Sequence, residues 1–404
     1  MRLKWIKKSR LKIFPLIRDE PKFLIVRDII LKGELQVECK MLNELTRIKI
    51  ELLCCGVRLG ADTLRMFPGY RYKRASLSEG VCFNLHGCSD SVVPVNLAVH
   101  EPFVSCSPFY FNEPEGIIYK GDSTFVAATL VNQPSWYGRR LPDGTCFQEI
   151  LQIHYEQILA LSLTNFCVFK QQGKGCKFCA LGSDISEQCY KDPEHIIRVI
   201  EELRYLKVPF KEVNLNSGAF LNEDKGISMF LDGVRAIRSV SDVPIYVQIC
   251  PPEDKTFIDD LRAEGVTTIS FNLEIYNQVR RREMMPAKSL YDREDYFRTL
   301  RYAVDLFGPN QVSSWLIAGL EPTESTIAGI WRVAETGAIP FVTIFRPLIG
   351  SDLVDESPPH HESIFPVFEA LREVMEVTGL DPRASRGGCV SCGCCSALME
   401  VKSG

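Results

Sequence analysis

Residues 158–179 read ILALSLTNFCVFKQQGKGCKFC, and this stretch decides how the chain is read. Ile158–Leu163 is a short apolar run with the length of a buried strand. The loop behind it places Cys167, then Cys176 after eight residues, then Cys179 after two more. Three cysteines on one strand-end loop can hold three irons of a four-iron cube and leave the fourth open. Structural zinc sites prefer four ligands in paired short spacings, and the loop has no second nearby pair.

Outward from that loop the texture is regular. Apolar or β-branched runs alternate with helical patterns, which predicts βα units and a parallel sheet. Strands are expected at Glu212–Leu215, Pro244–Ile249, Thr267–Ile275, Val312–Ala318 and Pro340–Phe345. Helices are expected at Pro193–Leu206, Gly226–Val240, Lys255–Glu264, Arg293–Phe307, Glu324–Thr336 and Glu362–Thr378. Six units fall short of the eight of a closed (β/α)8 barrel. The fold class is therefore α/β, a partial (β/α)6 TIM-like barrel. Its chemistry is expected at the C-terminal strand ends.

Residues 1–150 show no dominant helical period. Short β-rich runs (Phe23–Ile30, Ser91–Val99, Thr124–Val131) alternate with turns such as Phe67-Pro68-Gly69. This predicts a smaller strand-rich module over 1–150, the barrel over 151–380 and a cysteine-rich tail over 381–404.

The chain has 404 residues, 46% hydrophobic and 24% charged, which suits a packed core and excludes a disordered or fibrous chain. Lys+Arg 47 against Asp+Glu 51 gives a net charge of -4, so no basic field draws it to nucleic acid. The N-terminus carries seven Lys/Arg by Arg18, but no apolar stretch of signal-peptide length follows, and no run spans a membrane. A cytoplasmic, reducing setting is expected, where clustered cysteines are metal ligands more often than disulfides. Of the 16 cysteines, Cys39, Cys54, Cys55, Cys82, Cys88, Cys106 and Cys146 have no repeated short spacing and read as small buried hydrophobes.

The central motif resembles that of the radical S-adenosylmethionine (radical SAM) superfamily. Phe178 takes the aromatic place before the last cysteine, although the first gap here is eight residues rather than three. The resemblance covers about residues 157–395. It implies a [4Fe-4S] cluster on Cys167, Cys176 and Cys179 whose open iron is chelated by the methionine part of S-adenosylmethionine. Electron transfer then cleaves a carbon–sulfur bond and releases a 5′-deoxyadenosyl radical, which abstracts hydrogen from a small-metabolite substrate. The cofactor carries that chemistry, and the protein positions it.

The resemblance also implies contacts. Asn216-Ser217-Gly218 would meet the methionine amino group, and Gln248 follows on the third strand. Glu274 is expected to face the cleft, because a carboxylate on an apolar strand is costly unless paired. Arg282, Lys288 and Arg298 are the candidate cations for the cofactor carboxylate. Gly319 ends the strand that would back the adenine, and Ile344 lies in the segment flanking it. Arg346, inside an apolar strand, is a candidate partner of a substrate carboxylate.

The tail carries Cys389, Cys392, Cys394 and Cys395 among Gly and Ser, a strong metal signal. It fits a second iron–sulfur cluster or four-thiolate zinc. Its Gly-Cys-x2-Cys-Gly-x-Cys-Ser-like ending is similar to that of a radical SAM family encoded in bacterial nitrilase gene clusters, within the biotin synthase-like branch. Cys394 stands where that family has a small residue. Expected partners are a small-molecule substrate and a reductant such as flavodoxin or ferredoxin. The alternative from another class is a non-catalytic iron–sulfur or zinc protein for electron transfer or partner binding. There is no Gly-rich dinucleotide or phosphate loop and no His-Glu-x-x-His motif.

Overall fold

The computed structural model describes residues 42–66, 80–87, 91–155, 157–181 and 190–401. The basic N-terminus, the Phe23–Ile30 run, Phe67-Pro68-Gly69, Cys39, Cys88 and Cys189 lie outside these residues.

The first element is helix α1, Glu44–Cys55, which the N-terminal reading does not anticipate. Asn43 caps it by accepting from the Thr46 N–H at 2.8 Å. Its buried face carries Thr46 and Lys49 beside Ile50, Leu52 and Leu53, so polar residues blur the apolar period. A five-stranded antiparallel sheet follows, ordered β2-β1-β5-β4-β3. Its strands are β1 Val81–His86, β2 Val92–Leu97, β3 Phe109–Asn112, β4 Ile117–Lys120 and β5 Ser123–Leu130. Val81, Phe83 and Leu85 alternate into the core, the pattern of a half-buried strand.

The second sheet has seven strands in sequential order, β6 to β12. Antiparallel β6, Gln152–Tyr155, forms one edge against β7, Ile158–Ser162. The parallel run continues through β8 Glu212–Asn216, β9 Ile245–Ile249, β10 Thr268–Phe271, β11 Val312–Ala318 and β12 Ile339–Ile344. Between these strands lie a short turn α2, Val168–Gln171, then α3 Pro193–Tyr205, α4 Ile227–Val240, α5 Phe257–Ala263, α6 Gln278–Met284, α7 Arg293–Phe307 and α8 Thr323–Ala334. Helix α9, His361–Thr378, follows β12. The six parallel strands and their helices sit where the alternation predicts them.

One strand is shorter than expected. β10 ends at Phe271 rather than Ile275, because Glu274 adopts φ 66, a conformation that strands exclude. The loop stays tied to β11: the Glu274 N–H donates to Trp315 O at 2.7 Å, and the Ile317 N–H to Glu274 O at 2.8 Å. A non-glycine residue held in this region costs about 1–3 kcal/mol and persists where neighbours over-determine it.

The tail forms short helices, α10 Gly388–Cys392 and α11 Leu398–Val401. It docks on the barrel at the N-terminal ends of the strands. Glu212, first in β8, accepts from the Gly388 N–H at 3.1 Å and the Ser391 hydroxyl at 2.8 Å. Gly388 has φ 84, and an added Cβ would lie 2.5 Å from the Tyr246 ring, so only glycine permits this approach. Lys49 of α1, fully buried, pairs with Glu400 at 3.0 Å and donates to Gly393 O at 3.0 Å. Thus α1, the tail and the barrel share one interior.

Candidate radical SAM site

The C-terminal ends of the barrel strands surround a cleft of about 850 Å³, counting its open mouth. Cys167, Cys176 and Cys179 line one wall. Ser217, Gly218, Gln248 and Cys250 follow from β8 and β9, and Asn272, Glu274, Lys288 and Trp315 complete the opposite side.

The loop after β7 is fixed by packing. An added Cβ on Gly218 would lie 1.9 Å from the Phe166 carbonyl, so the β8 turn presses directly on the cysteine loop. Phe178 is buried against Ile275, Met285 and Ile317, which anchors the aromatic beside Cys179. The Lys170 ammonium donates to Cys179 O at 3.2 Å. Burial pushes the Cys176 thiol well above its ordinary value and Cys179 to about 11. Bare thiols here stay protonated, and a bound cation is what converts such groups to thiolates. Among the described residues no three His, Cys, Asp or Glu side chains converge on a single-ion site. A four-iron cube takes one thiolate per iron, and three cysteines spaced around one cleft fit that requirement.

Opposite the cysteines, Lys288 pairs with Glu274 at 2.8 Å and donates to Asn272 O at 3.2 Å. Burial pulls the Lys288 ammonium down, but the Glu274 carboxylate outweighs it and holds the group well above the usual lysine value. An ammonium has three donors, of which these contacts use two, and Lys288 lines the cleft.

The three candidate cations separate clearly. Lys288 is buried in the cleft, whereas Arg282 is exposed on α6 and Arg298 pairs with Asp292 at 3.1 Å on the outer surface. The buried member of the arginine run is Arg281, which is fully enclosed. It donates to Leu273 O at 2.8 Å and Lys288 O at 3.2 Å, tying the Glu274 loop to the Lys288 turn. Asn216 ends β8, Gly319 follows β11 with φ 99, and Ile344 ends β12; none of the three lines the cleft. Arg346 is directed away from it: its guanidinium donates to Asn96 Oδ1 at 3.1 Å and Asn96 O at 2.6 Å in the N-terminal sheet. An arginine in an apolar segment needs acceptors, and here β2 supplies them.

The sequence reading passes over Cys250, Asn272, Trp315 and Arg281. Cys250 directly follows β9 and Trp315 lies in the middle of β11, which is buried along its whole length. The role of Arg281 depends on a loop path that no pattern encodes.

The four tail cysteines line a second, small cavity with Asn96, His154, Trp315 and Phe341. The backbone N–H of Asn96 donates to Cys394 O at 3.0 Å, and the Thr343 hydroxyl to Cys395 O at 3.2 Å.

Residues 161–330 match the family model described as the Radical SAM superfamily. A curated relative, bacteriochlorophyllide c C-7(1)-hydroxylase of Chlorobaculum limnaeum, is 21% identical over 251 residues, 56% of this chain and 60% of that protein. The chain thus spans less than two-thirds of that relative's length. Similar solved structures include HydG, a maturase of the [FeFe]-hydrogenase (TM-score 0.45, 15% identity, 60% of this chain and 54% of that one). Another is methylornithine synthase, PylB (TM-score 0.43, 17% identity, 54% and 62%). The family implies a [4Fe-4S] cluster and S-adenosylmethionine as cofactors. Among the described residues no helix is long and apolar enough to cross a membrane.

Proposed function

We propose that the chain is a radical SAM enzyme that removes a hydrogen atom from an unactivated carbon of a small-molecule substrate. The observation that carries this reading is one cleft holding Cys167, Cys176 and Cys179 opposite the buried Lys288–Glu274 pair. When bound, the cofactor pair supplies reductive cleavage of a carbon–sulfur bond and, with it, the hydrogen-abstracting species.

The chain's own residues bind, orient and exclude water. Cys167, Cys176 and Cys179 would hold the cluster. Lys288 would meet the cofactor carboxylate, and Glu274 with Asn272 O fixes the position of its ammonium. Gly218 permits close backbone approach at the β8 turn, and Gln248 and Ser217 offer polar contacts beside it. Phe178 and Trp315 close apolar sides of the cleft and keep water from the reacting groups.

The tail cysteines hold a second iron–sulfur centre in this reading. The resemblance of its motifs supports assignment to the biotin synthase-like branch, near the nitrilase-cluster family. Its setting is the reducing cytosol, with a flavodoxin- or ferredoxin-class reductant. The three-part division at 150 and 380 belongs to the same reading.

Anaerobically reconstituted protein with dithionite should convert S-adenosylmethionine to 5′-deoxyadenosine, and Cys176→Ala should not. Intact S-adenosylmethionine with the wild-type protein sinks the proposal and leaves a non-catalytic iron–sulfur protein. Iron should fall from about eight to about four per chain in the Cys389/Cys392/Cys395 triple alanine variant, since each cube holds four irons. An unchanged iron count with lost zinc rules out the second cluster.

A further inference from the structure

The two groups of cysteines line separate cavities that share one side chain. Trp315 borders the catalytic cleft with Cys167, Cys176 and Cys179, and it borders the tail cavity with Cys389, Cys392, Cys394 and Cys395. It is only 4% exposed, and its ring packs on Phe341 with centroids 5.0 Å apart. Strand β11 carries it at the register of Phe341 on β12, and its backbone N–H donates to Asn272 Oδ1 at 3.3 Å. The backbone is thus tied to the β10 loop while the ring rests on Phe341.

Its indole Nε1–H is buried without an acceptor among the described residues. Buried indole donors ordinarily find one, so this donor is left for a group bound in one of the two cavities. Four thiols around the tail cavity can ligate every iron of a cube. A centre closed in this way has no iron free for substrate, and its remaining use is to carry electrons.

We propose that Trp315 is the link through which an electron passes from the tail centre to the catalytic cluster. This rests on the two-centre reading above. A flavodoxin- or ferredoxin-class reductant gives up one electron and the tail centre accepts it. That electron then moves to the catalytic cluster, and the tail centre returns to its oxidised state. No bond of the chain forms or breaks. Trp315, the side chain common to both cavities, provides a covalent and polarisable bridge along this path.

The test uses the full reconstituted chain mixed with reduced flavodoxin and freeze-quenched at successive times for electron paramagnetic resonance. Added S-adenosylmethionine shifts the signal of the catalytic cluster alone, which separates the two centres. The tail signal should rise first and the catalytic signal second. Trp315→Leu should slow the second rise by about tenfold, which corresponds to about 1.4 kcal/mol of barrier, while Trp315→Phe keeps a ring and stays near wild type. Trp315→Met, a non-aromatic chain of similar reach, replaces Trp315→Leu if that variant loses iron. An unchanged transfer rate in a non-aromatic variant that retains both centres overturns the relay, as does a catalytic signal that rises first. A wild-type chain with only about four irons removes the second centre itself, and the relay with it.

Discussion

Removing the Glu274 carboxylate tests the electrostatic argument at the site most directly. Lys288 and Glu274 are 2.8 Å apart with side chains 9% and 15% exposed. At that separation and an effective dielectric constant of about 20, their attraction is about 6 kcal/mol. The cost of withdrawing both charges from water offsets part of it. Breaking such a pair from one side leaves a charge uncompensated and costs about 3–5 kcal/mol. Glu274→Ala should therefore destabilise the chain by about 3–5 kcal/mol, seen as a lower urea midpoint at unchanged slope. Glu274→Gly should lose about 1 kcal/mol less, because glycine relieves the positive φ. Replacing both residues by Met removes the stranded charge, so the double variant should recover most of the loss, a coupling of about 3 kcal/mol. Single variants that each cost less than about 0.5 kcal/mol, the size of a surface substitution, would refute the reasoning.

Glu321 is buried and accepts the backbone N–H groups of Tyr276 and Asn277 at 3.0 and 2.6 Å, so Glu321→Ala should cost about 1–3 kcal/mol per stranded donor, read by denaturation. Gly388→Ala drives a methyl into Tyr246 and should release the tail, detected as faster hydrogen exchange at 388–401 with barrel amides unchanged. Burial raises the Glu212 carboxyl above the ordinary glutamate value, more than its hydrogen bonds from Ser391 and Gly388 lower it. The folded chain therefore holds that proton more tightly. The stability it contributes is full below the ordinary glutamate value and is lost as pH rises through the raised one. Tail amides should exchange more slowly at mildly acidic pH than at neutral pH after correction for intrinsic rates, and Glu212→Ala should abolish that difference.

The barrel was legible because its strands are continuous apolar or β-branched runs and its helices carry a clean period. α1 was not, since Thr46 and Lys49 occupy its buried face and the partner of Lys49, Glu400, lies 351 residues away. The β3–β4 hairpin was hidden by its four-residue strands. At the site, the cysteine spacing and the Glu274 carboxylate are local signals. The choice of Lys288 over Arg282 and Arg298 is not, because it follows from where Arg281 pins the intervening turn. The double exposure of Trp315 arises only once the tail has folded back beneath β11.

Lys49 also has a consequence in time. Its ammonium lies 344 residues from Gly393 and 351 from Glu400, the groups that satisfy it. While the chain is being made, α1 and its sheet must wait with a cation that has no buried partner, so that face stays open to water or to a chaperone. Contacts so distant in sequence form late. Closure of the N-terminal core is thereby made conditional on arrival of the cysteine-bearing tail, and a chain truncated before Glu400 would be left with a charged, unsealed seam that quality control can recognise.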